Sequence, residues 1–462
     1  MSSYRAPIRA SSHPAELLHG KLVTREQGRW DEARRAWNLA VDQQPAAVVF
    51  PASVEDVIAA VHLAIHMGLD VAPQGTGHNA GPLGSLEHTM LVRTDAMRRV
   101  EIDPESRTAR AEAGVVWLEV VEAAARHGLA ALAGSSPDVG VVGYTLGGGL
   151  SWLGRKFGLA ANNVEAIEMV TPDGRWLRVD RDHEPDLFWA LRGGGGNFGV
   201  VTAIEMRLFP ISHVYAGWLW WPIDRGAEVM HAWQQLTQSG LPDELTTVGR
   251  YLQLPPLPEI PEPVRGKSFV VVEAIHVGDP AEADQLLRPL RALEPVNDTI
   301  ATIPVQDLTH LHMDPEEPVP GVADGSVLSH LDDRAIDELD RVAGVGSGSP
   351  LLSVEVRHLG GELRRARPQH GAISSIEGDY VMFAVGVTPT PQAHAAVSRH
   401  VEVVKEALVP WTARHMYLNF AETGRNARSF WSEAAHARLR RLKATVDPAN
   451  RIRANHPITP TS

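Results

Sequence analysis

The chain has 462 residues, 44% hydrophobic and 21% charged, with a formal net charge of −13 and no cysteine. Its length exceeds what one core ordinarily supports and predicts two or three domains, while the acidic balance argues against nucleic acid as a partner. The missing thiols exclude disulfides, thiolate metal sites and a cysteine nucleophile.

The N-terminal stretch MSSYRAPIRASSHPAELL lacks a signal-type apolar run. No stretch of about 18 apolar residues follows, so a cytoplasmic protein without membrane association is expected. From Pro45, PAAVVFPASVEDVIAAVHLAIHMGLDVA reads as strand, helix, strand. Ser53 can cap that helix, Val57, Val61 and Ile65 recur every four residues, and Gly68 stops it. Next comes APQGTGHNAG, residues 72–81. Gly75, Gly77 and Gly81 free the backbone for close approach to a ligand, and backbone N–H groups so placed suit a phosphate. His78 in its middle is a base, a ligand, an attachment point or simply part of a loop.

VEIDPESRTARAEAGV reads as a hairpin and WLEVVEAAARHGLA as an amphipathic helix. The six glycines of residues 134–149, GSSPDVGVVGYTLGGG, predict an irregular loop. AIEMVTPDGRWLRVD is a second hairpin, PDLFWALRG a short helix, and GVVTAIEMRLFP a strand ending at Pro210. Beyond Pro210, strands (HVYAGWLWWPI, KSFVVVEAIHV, LLSVEVRHLGG, DYVMFAVGVT) alternate with the helices AEADQLLRPLRAL and HAAVSRHVEVVKEAL. That order predicts an α+β region with an antiparallel sheet. Residues 305–326, rich in proline and acidic groups, are expected as an exposed loop. The tail carries MYLNFAE, the helix ARSFWSEAAHARLRRLKATVD, and DPANRIRANHPI.

GGGNFG at 194–199 has the glycine spacing of a dinucleotide fingerprint, but a helix precedes it and a strand follows. The Rossmann order is the reverse, so that reading fails. Three glycine-rich segments in one region point instead to a large flat ligand threaded through backbone. THLHMDPEEP places His310, His312 and Asp314 close together, and a solvated loop is expected there rather than a metal site. Glu355 and Arg357 share one face of a strand, with Val354 and Val356 on the other. That polar face meets water, or the carboxylate faces a pocket. Ser135 and Ser136 lack a G-x-S-x-G elbow, which rejects a hydrolase. Trp218, Trp220 and Trp221 are expected to pack in a core rather than form a substrate platform.

These segments resemble the FAD-dependent oxidases of the vanillyl-alcohol-oxidase superfamily, in the berberine-bridge-enzyme-like branch. FPASVEDV, QGTGHNA, SPDVGVVGYTLGGGLSWLGRKFGLAANNV, DLFWALRGGGGNFGVVTAIEMRLFP and YLNF with DPANRI carry the likeness in order. It implies an α+β fold, with a two-part PCMH-type FAD-binding domain and an α+β substrate domain built on an antiparallel sheet. The implied layout is an N-terminal segment (1–41), the FAD-binding domain (42–212), a substrate-binding domain (213–412) and a C-terminal segment returning to the FAD domain (413–462).

By the same resemblance the first flavin loop comprises Gln74, Gly75, Thr76, Gly77, His78, Asn79 and Ala80. The second supplies Gly134, Ser135, Ser136, Asp138, Val139 and Gly140, then Gly143, Tyr144, Gly148, Gly149 and Leu150. Gly199, Val200 and Val201 complete the third, and Tyr417 and Asn419 the closing motif. His78 is the implied attachment point to the flavin 8α-methyl carbon. Ser136 aligns with the cysteine of bicovalent relatives, so one link alone is expected. Phe420 and ANHPI depart from the family's closing pattern.

The implied activity is oxidation of an alcohol or amine carbon of a small molecule. A base takes the O–H proton, hydride passes to flavin N5, and O2 reoxidises the flavin to give H2O2. Tyr417 is the first candidate base; Tyr144, Glu355 and Tyr380 follow. An ordinary tyrosine pKa near ~10 is too high for a resting base, so a cation such as Arg357 would have to lower it. A dehydrogenase using another acceptor, and a flavin-binding protein without turnover, are the alternatives. Monomer and homo-oligomer are both open.

Overall fold

The computed structural model describes residue 16 and residues 18–461 apart from 257, 259 and 261. The reading of the first fifteen residues therefore lies outside the described residues. Leu22–Val23 (β1), Ala47–Val49 (β2), Asp70–Gln74 (β3) and Thr89–Arg93 (β4) form a sheet of order β1-β2-β4-β3, with β2, β4 and β3 parallel. Helix α1, Val54–Met67, connects β2 to β3, and Ser53 Oγ accepts the Asp56 N–H at 3.2 Å. Gly68 ends the helix in the left-handed conformation at φ 68°. Val57 and Val61 are buried beneath it, as their spacing requires. Ser53→Ala is expected to lower stability by about 1 kcal/mol in chemical denaturation, because one helix-terminal N–H loses its acceptor.

Val100–Asp103 (β5), Thr108–Glu112 (β6), Val164–Val170 (β7), Trp176–Asp180 (β8) and Val200–Arg207 (β9) make an antiparallel sheet of order β5-β6-β9-β7-β8. Both expected hairpins are present in it. Trp117–Ala125 (α2), Val141–Leu146 (α3) and Pro185–Leu191 (α4) accompany this sheet. Helix α3 corrects the reading of 134–149 as irregular. Burial of Val141, Val142, Thr145 and Leu146 outweighs the roughly 1 kcal/mol that Gly143 costs inside a helix.

The third sheet joins His213–Pro222 (β10), Leu245–Gln253 (β11), Ser268–His276 (β12), Asn297–Asp298 (β13), Ala301–Pro304 (β14), Gly321–Leu328 (β15), Ser353–His358 (β16) and Tyr380–Val387 (β17). Its order is β13-β10-β12-β11-β16-β17-β15, with β14 also paired to β10, and every pairing is antiparallel. Gly226–Gln238 (α5), Pro280–Arg291 (α6), Asp333–Ala343 (α7) and Pro391–Ala407 (α8) cover one face, over a core that includes Trp221, Trp233, Val272 and Val356. Trp218 and Trp220 lie on the other face and pack with Phe269, so the tryptophans serve packing as expected. The expected exposed loop at 305–326 is corrected. Gly321–Leu328 is a strand, and Val305, Leu308 and Leu311 are buried against Ala130, Trp152 and Ile275. Apolar residues spaced through the proline-rich stretch carry it inward.

The tail returns to the first two sheets. Ile452 bridges to Val71. Helix α9, Glu433–Val446, buries Lys443, whose Nζ donates to Asn197 O at 2.7 Å and to Asp447 at 2.6 Å. That pins the tail to the 194–199 turn. Among the described residues no helix is long and apolar enough to cross a membrane.

Candidate active site

A cavity of about 430 Å³ opens where the glycine loops, the third sheet and the tail meet. That is within the ~300–1,000 Å³ usual for small-molecule sites. The loop after β3 lines it with Gln74, Gly75, Thr76, Gly77, His78, Asn79 and Ala80. Around α3, Gly134, Ser135, Ser136, Val139, Gly140, Gly143 and Leu150 do the same, and Gly199 and Val201 follow. Gly195 (φ 70°) and Gly196 (φ 76°) present bare backbone there, with no other atom closer than 3.8 Å to a Cβ built on either. Such bare loops admit a flat ligand against main-chain N–H groups.

Four residues of the flavin-loop set do not line the cavity. Gly148 and Gly149 lie beneath tyrosine rings, where a Cβ would come within 3.1 Å of Tyr417 and 2.6 Å of Tyr144. Val200 pairs with Val170 and is buried in the core beneath α1. Asp138 stands behind His78, with Oδ1 3.4 Å from the imidazole Nε2. The His78 ring is stacked on Trp37 at 4.0 Å and 18°, and its Nδ1 lies 2.7 Å from Thr76 Oγ1.

Tyr417 lines the cavity at 3% exposure. Its phenolic oxygen accepts from Asn419 Nδ2 at 3.2 Å and faces the backbone amides of Gly149 and Leu150. Burial pushes its pKa above the ordinary tyrosine value, while Arg357 and these three donors pull the other way. Tyr144 also lines the cavity, but its hydroxyl donates to Leu132 O at 3.1 Å, and burial raises its pKa far above the usual range. A phenol so committed is packing, which corrects its candidacy as a base. Tyr380 is corrected too. It points to the helix-covered face of the third sheet, against Trp233, with its hydroxyl 2.6 Å from Thr237 Oγ1.

Glu355 does face the cavity, at 1% exposure, which resolves the two readings of β16. The register explains why: Arg250 pairs with Glu355, Val248 with Arg357 and with Glu273, so Arg250, Glu273, Ser353, Glu355 and Arg357 share the face opposite the helices. His312 joins them, 3% exposed rather than solvated, which corrects the reading of THLHMDP. Its Nδ1 is 2.8 Å from Glu273 and its Nε2 2.5 Å from Glu355. His310 stays on the surface beside Glu316.

Burial and Arg250 oppose the imidazolium, but Glu273, Glu355 and Asp314 outweigh them and hold the His312 pKa up at about 9. Burial would raise the Glu355 pKa; Arg357, whose Nε donates to it at 2.7 Å, and His312 instead hold it well below the carboxylate range. In this arrangement Glu355 anchors two cations, Arg357 and His312, at the cavity wall. Asp314 accepts from Ser135 Oγ at 2.9 Å and Ser136 Oγ at 2.6 Å, tying the third sheet's loop to the second glycine loop. Arg357 extends to Ser135 at 3.3 Å and lies 5.2 Å from the ring centroids of Trp152 and Phe420.

Trp37, Arg250, Glu273 and the part played by His312 and Asp314 were missed from sequence. A signal existed for two of them. Glu273 interrupts the apolar run FVVVEAI and Arg250 stands between Val248 and Leu252 on its strand, and a charge there is too costly to bury without a partner. Nothing local marks Trp37.

The fold and the glycine-lined cavity define a flavoprotein with a second, sheet-built wall over its cofactor site. The FAD binding domain family model matches residues 45–180. (R)-6-hydroxynicotine oxidase of Paenarthrobacter nicotinovorans is 26% identical over 96% of this chain and 97% of its own. The structure of a chitooligosaccharide oxidase superposes with TM-score 0.82 at 21% identity, covering 97% of this chain and 100% of that one. A variant of berberine bridge enzyme gives 0.80 at 19% identity over 97% and 100%. The chain thus carries a match to the FAD binding domain at residues 45–180, is similar over nearly its whole length to FAD-linked oxidoreductases, and has the fold of berberine bridge enzyme. Its residues fit FAD: the bare cradle at Gly195 and Gly196 suits pyrophosphate, and the buried Asn79 Oδ1 has no hydrogen-bond partner among the described residues.

Proposed function

We propose that the protein is an oxidase that removes a hydride from an alcohol or amine carbon of a small molecule and passes the electrons to O2, with FAD joined to His78 by a single bond. The relatives named for a hydroxynicotine and a chitooligosaccharide support these two substrate types. The observation that carries the reading is the Tyr417 hydroxyl, held at the cavity wall by Asn419 Nδ2 and facing the Gly149 and Leu150 amides. Bound FAD supplies the two-electron acceptor and the route to O2. Tyr417 Oη takes the substrate proton once its own proton has passed to solvent, and the Asn419 donor with the Gly149 and Leu150 amides favours the phenolate that must form first. Arg357 adds a buried positive charge on the same side. The Phe383 and Phe420 rings, which line the cavity, keep water from the reacting carbon. Ser136 carries no thiol, so the second loop contributes hydrogen bonds rather than a second bond.

Acid precipitation of the purified protein tests the link. Yellow retained in the washed pellet, and lost from the pellet in His78→Ala, is the expected result, with H2O2 formed under air when a substrate bleaches the flavin. FAD released to the supernatant would remove the covalent link. Bleaching without peroxide would assign the electrons to another acceptor.

A further inference from the structure

We propose that Asp138 and Trp37 are positioning residues that make His78 Nδ1 the nucleophile for its bond to FAD. The inference rests on the proposed His78 link. Trp37 comes from the segment ahead of β2, outside the matched FAD-binding region, and its backbone N–H donates to Thr76 O at 3.0 Å. Its indole lies flat on the imidazole, 4.0 Å away and 18° from parallel. The indole N–H donates to Asp138 Oδ2, and Asp138 Oδ1 is left 3.4 Å from His78 Nε2. Both of these facing atoms are buried, and neither has a hydrogen-bond partner among the described residues. On the opposite edge of the ring, Thr76 Oγ1 meets Nδ1 at 2.7 Å.

A carboxylate only accepts, so the nitrogen facing it carries the proton. The Nδ1 lone pair is then the one that takes the Thr76 hydroxyl proton, and rotation of that hydroxyl frees it. The ring cannot turn over, because the indole covers one face and Asp138 and Thr76 hold its two edges. This is the arrangement of a nucleophile with a base oriented by a third group.

The step balances as follows in atoms and electrons. A bond forms between Nδ1 and the methyl carbon at ring position 8, and one methyl C–H bond breaks. The methyl proton and the Nε2 proton are lost, the latter toward Asp138. The electron pair of the C–H bond stays in the ring system, which is reduced by two electrons. Dioxygen takes those electrons with the two protons as hydrogen peroxide.

Asp138→Asn keeps an oxygen for the Trp37 N–H but turns an amide donor toward Nε2, favouring the wrong tautomer. Wild type, Asp138→Asn and Trp37→Phe would be incubated with FAD in air. The acid-stable fraction would be followed over time, with the mass of the His78 peptide and the FAD retained on gel filtration. The expected result is that Asp138→Asn still retains FAD but incorporates it covalently about 10²-fold more slowly, the lower end of the range for loss of a positioned base. Its rate should climb with pH, as hydroxide replaces the carboxylate, while the wild-type rate changes little; Trp37→Phe should be intermediate. Incorporation by Asp138→Asn at the wild-type rate and pH profile would overturn the proposal. So would loss of FAD retention in that variant, which would make Asp138 a binding residue. If wild type itself releases all its FAD in acid, it is the His78 link that fails.

Discussion

Tyr417→Phe is expected to slow reduction of the bound flavin by substrate about 10²–10⁴-fold, the range for a lost general base. The substitution removes one oxygen and leaves the ring against Gly148 and Phe420, so FAD content should hold. It also leaves the Gly149 and Leu150 amides without their acceptor, which should cost roughly 1–3 kcal/mol of stability. The wild-type pH profile is part of the expectation. Burial raises the Tyr417 pKa, so the resting group is the neutral phenol. Flavin reduction should therefore rise with pH through the alkaline range, and the variant should lose that rise. Stopped-flow measurement under anaerobic conditions separates this step from reoxidation. An unchanged rate in Tyr417→Phe would assign the proton to another group.

Glu355→Gln is expected to be among the most destabilising single changes in the third sheet, by about 3–5 kcal/mol, because it leaves buried cations without their partner. Glu355 holds Arg357 at 2.7 Å and His312 at 2.5 Å. The pH dependence follows from the two shifts. The His312 pKa is raised to about 9 from 6.5, so its contribution is complete below about 6.5 and is lost as pH rises through about 9. The Glu355 pKa is depressed, so its contribution is present above the ordinary carboxylate value of 4.5 and is lost only in acid. Wild-type stability should therefore be greatest between these limits. In Glu355→Gln the His312 pKa should fall, and stability should decline from a lower pH. Denaturation midpoints from pH 5 to 10 and the His312 ring resonances would show both effects. A variant with the wild-type midpoint and the wild-type His312 titration would mean that these charges are not paired in solution.

Much of the fold was legible because its signals are local. The Ser53 cap, the four-residue spacing of Val57 and Val61, the Gly68 stop and both hairpin turns each need only a few neighbouring residues. The candidate site was legible in part. Glu355 and Arg357 on one strand face, and His78 among its glycines, were visible from pattern alone. What faced them was not. Tyr380 and Tyr144 are chemically as able as Tyr417. They differ only in where the sheet turns one and which carbonyl holds the other.

Sequence by itself determined the order of elements, the three bare-backbone loops, the inverted setting of GGGNFG, and, through the absence of cysteine, that no thiol can bond the cofactor. Tertiary structure alone decided three things: which charges meet, which tyrosine at the cavity has no carbonyl holding its hydroxyl proton, and that Trp37 covers His78. The reason is the range of the interactions. Propensity and capping act over a few residues. The opposition of Arg250 to Glu355, by contrast, is a matter of strand register across more than one hundred residues, and a slip of one position would turn the whole charged face into the helix-covered core.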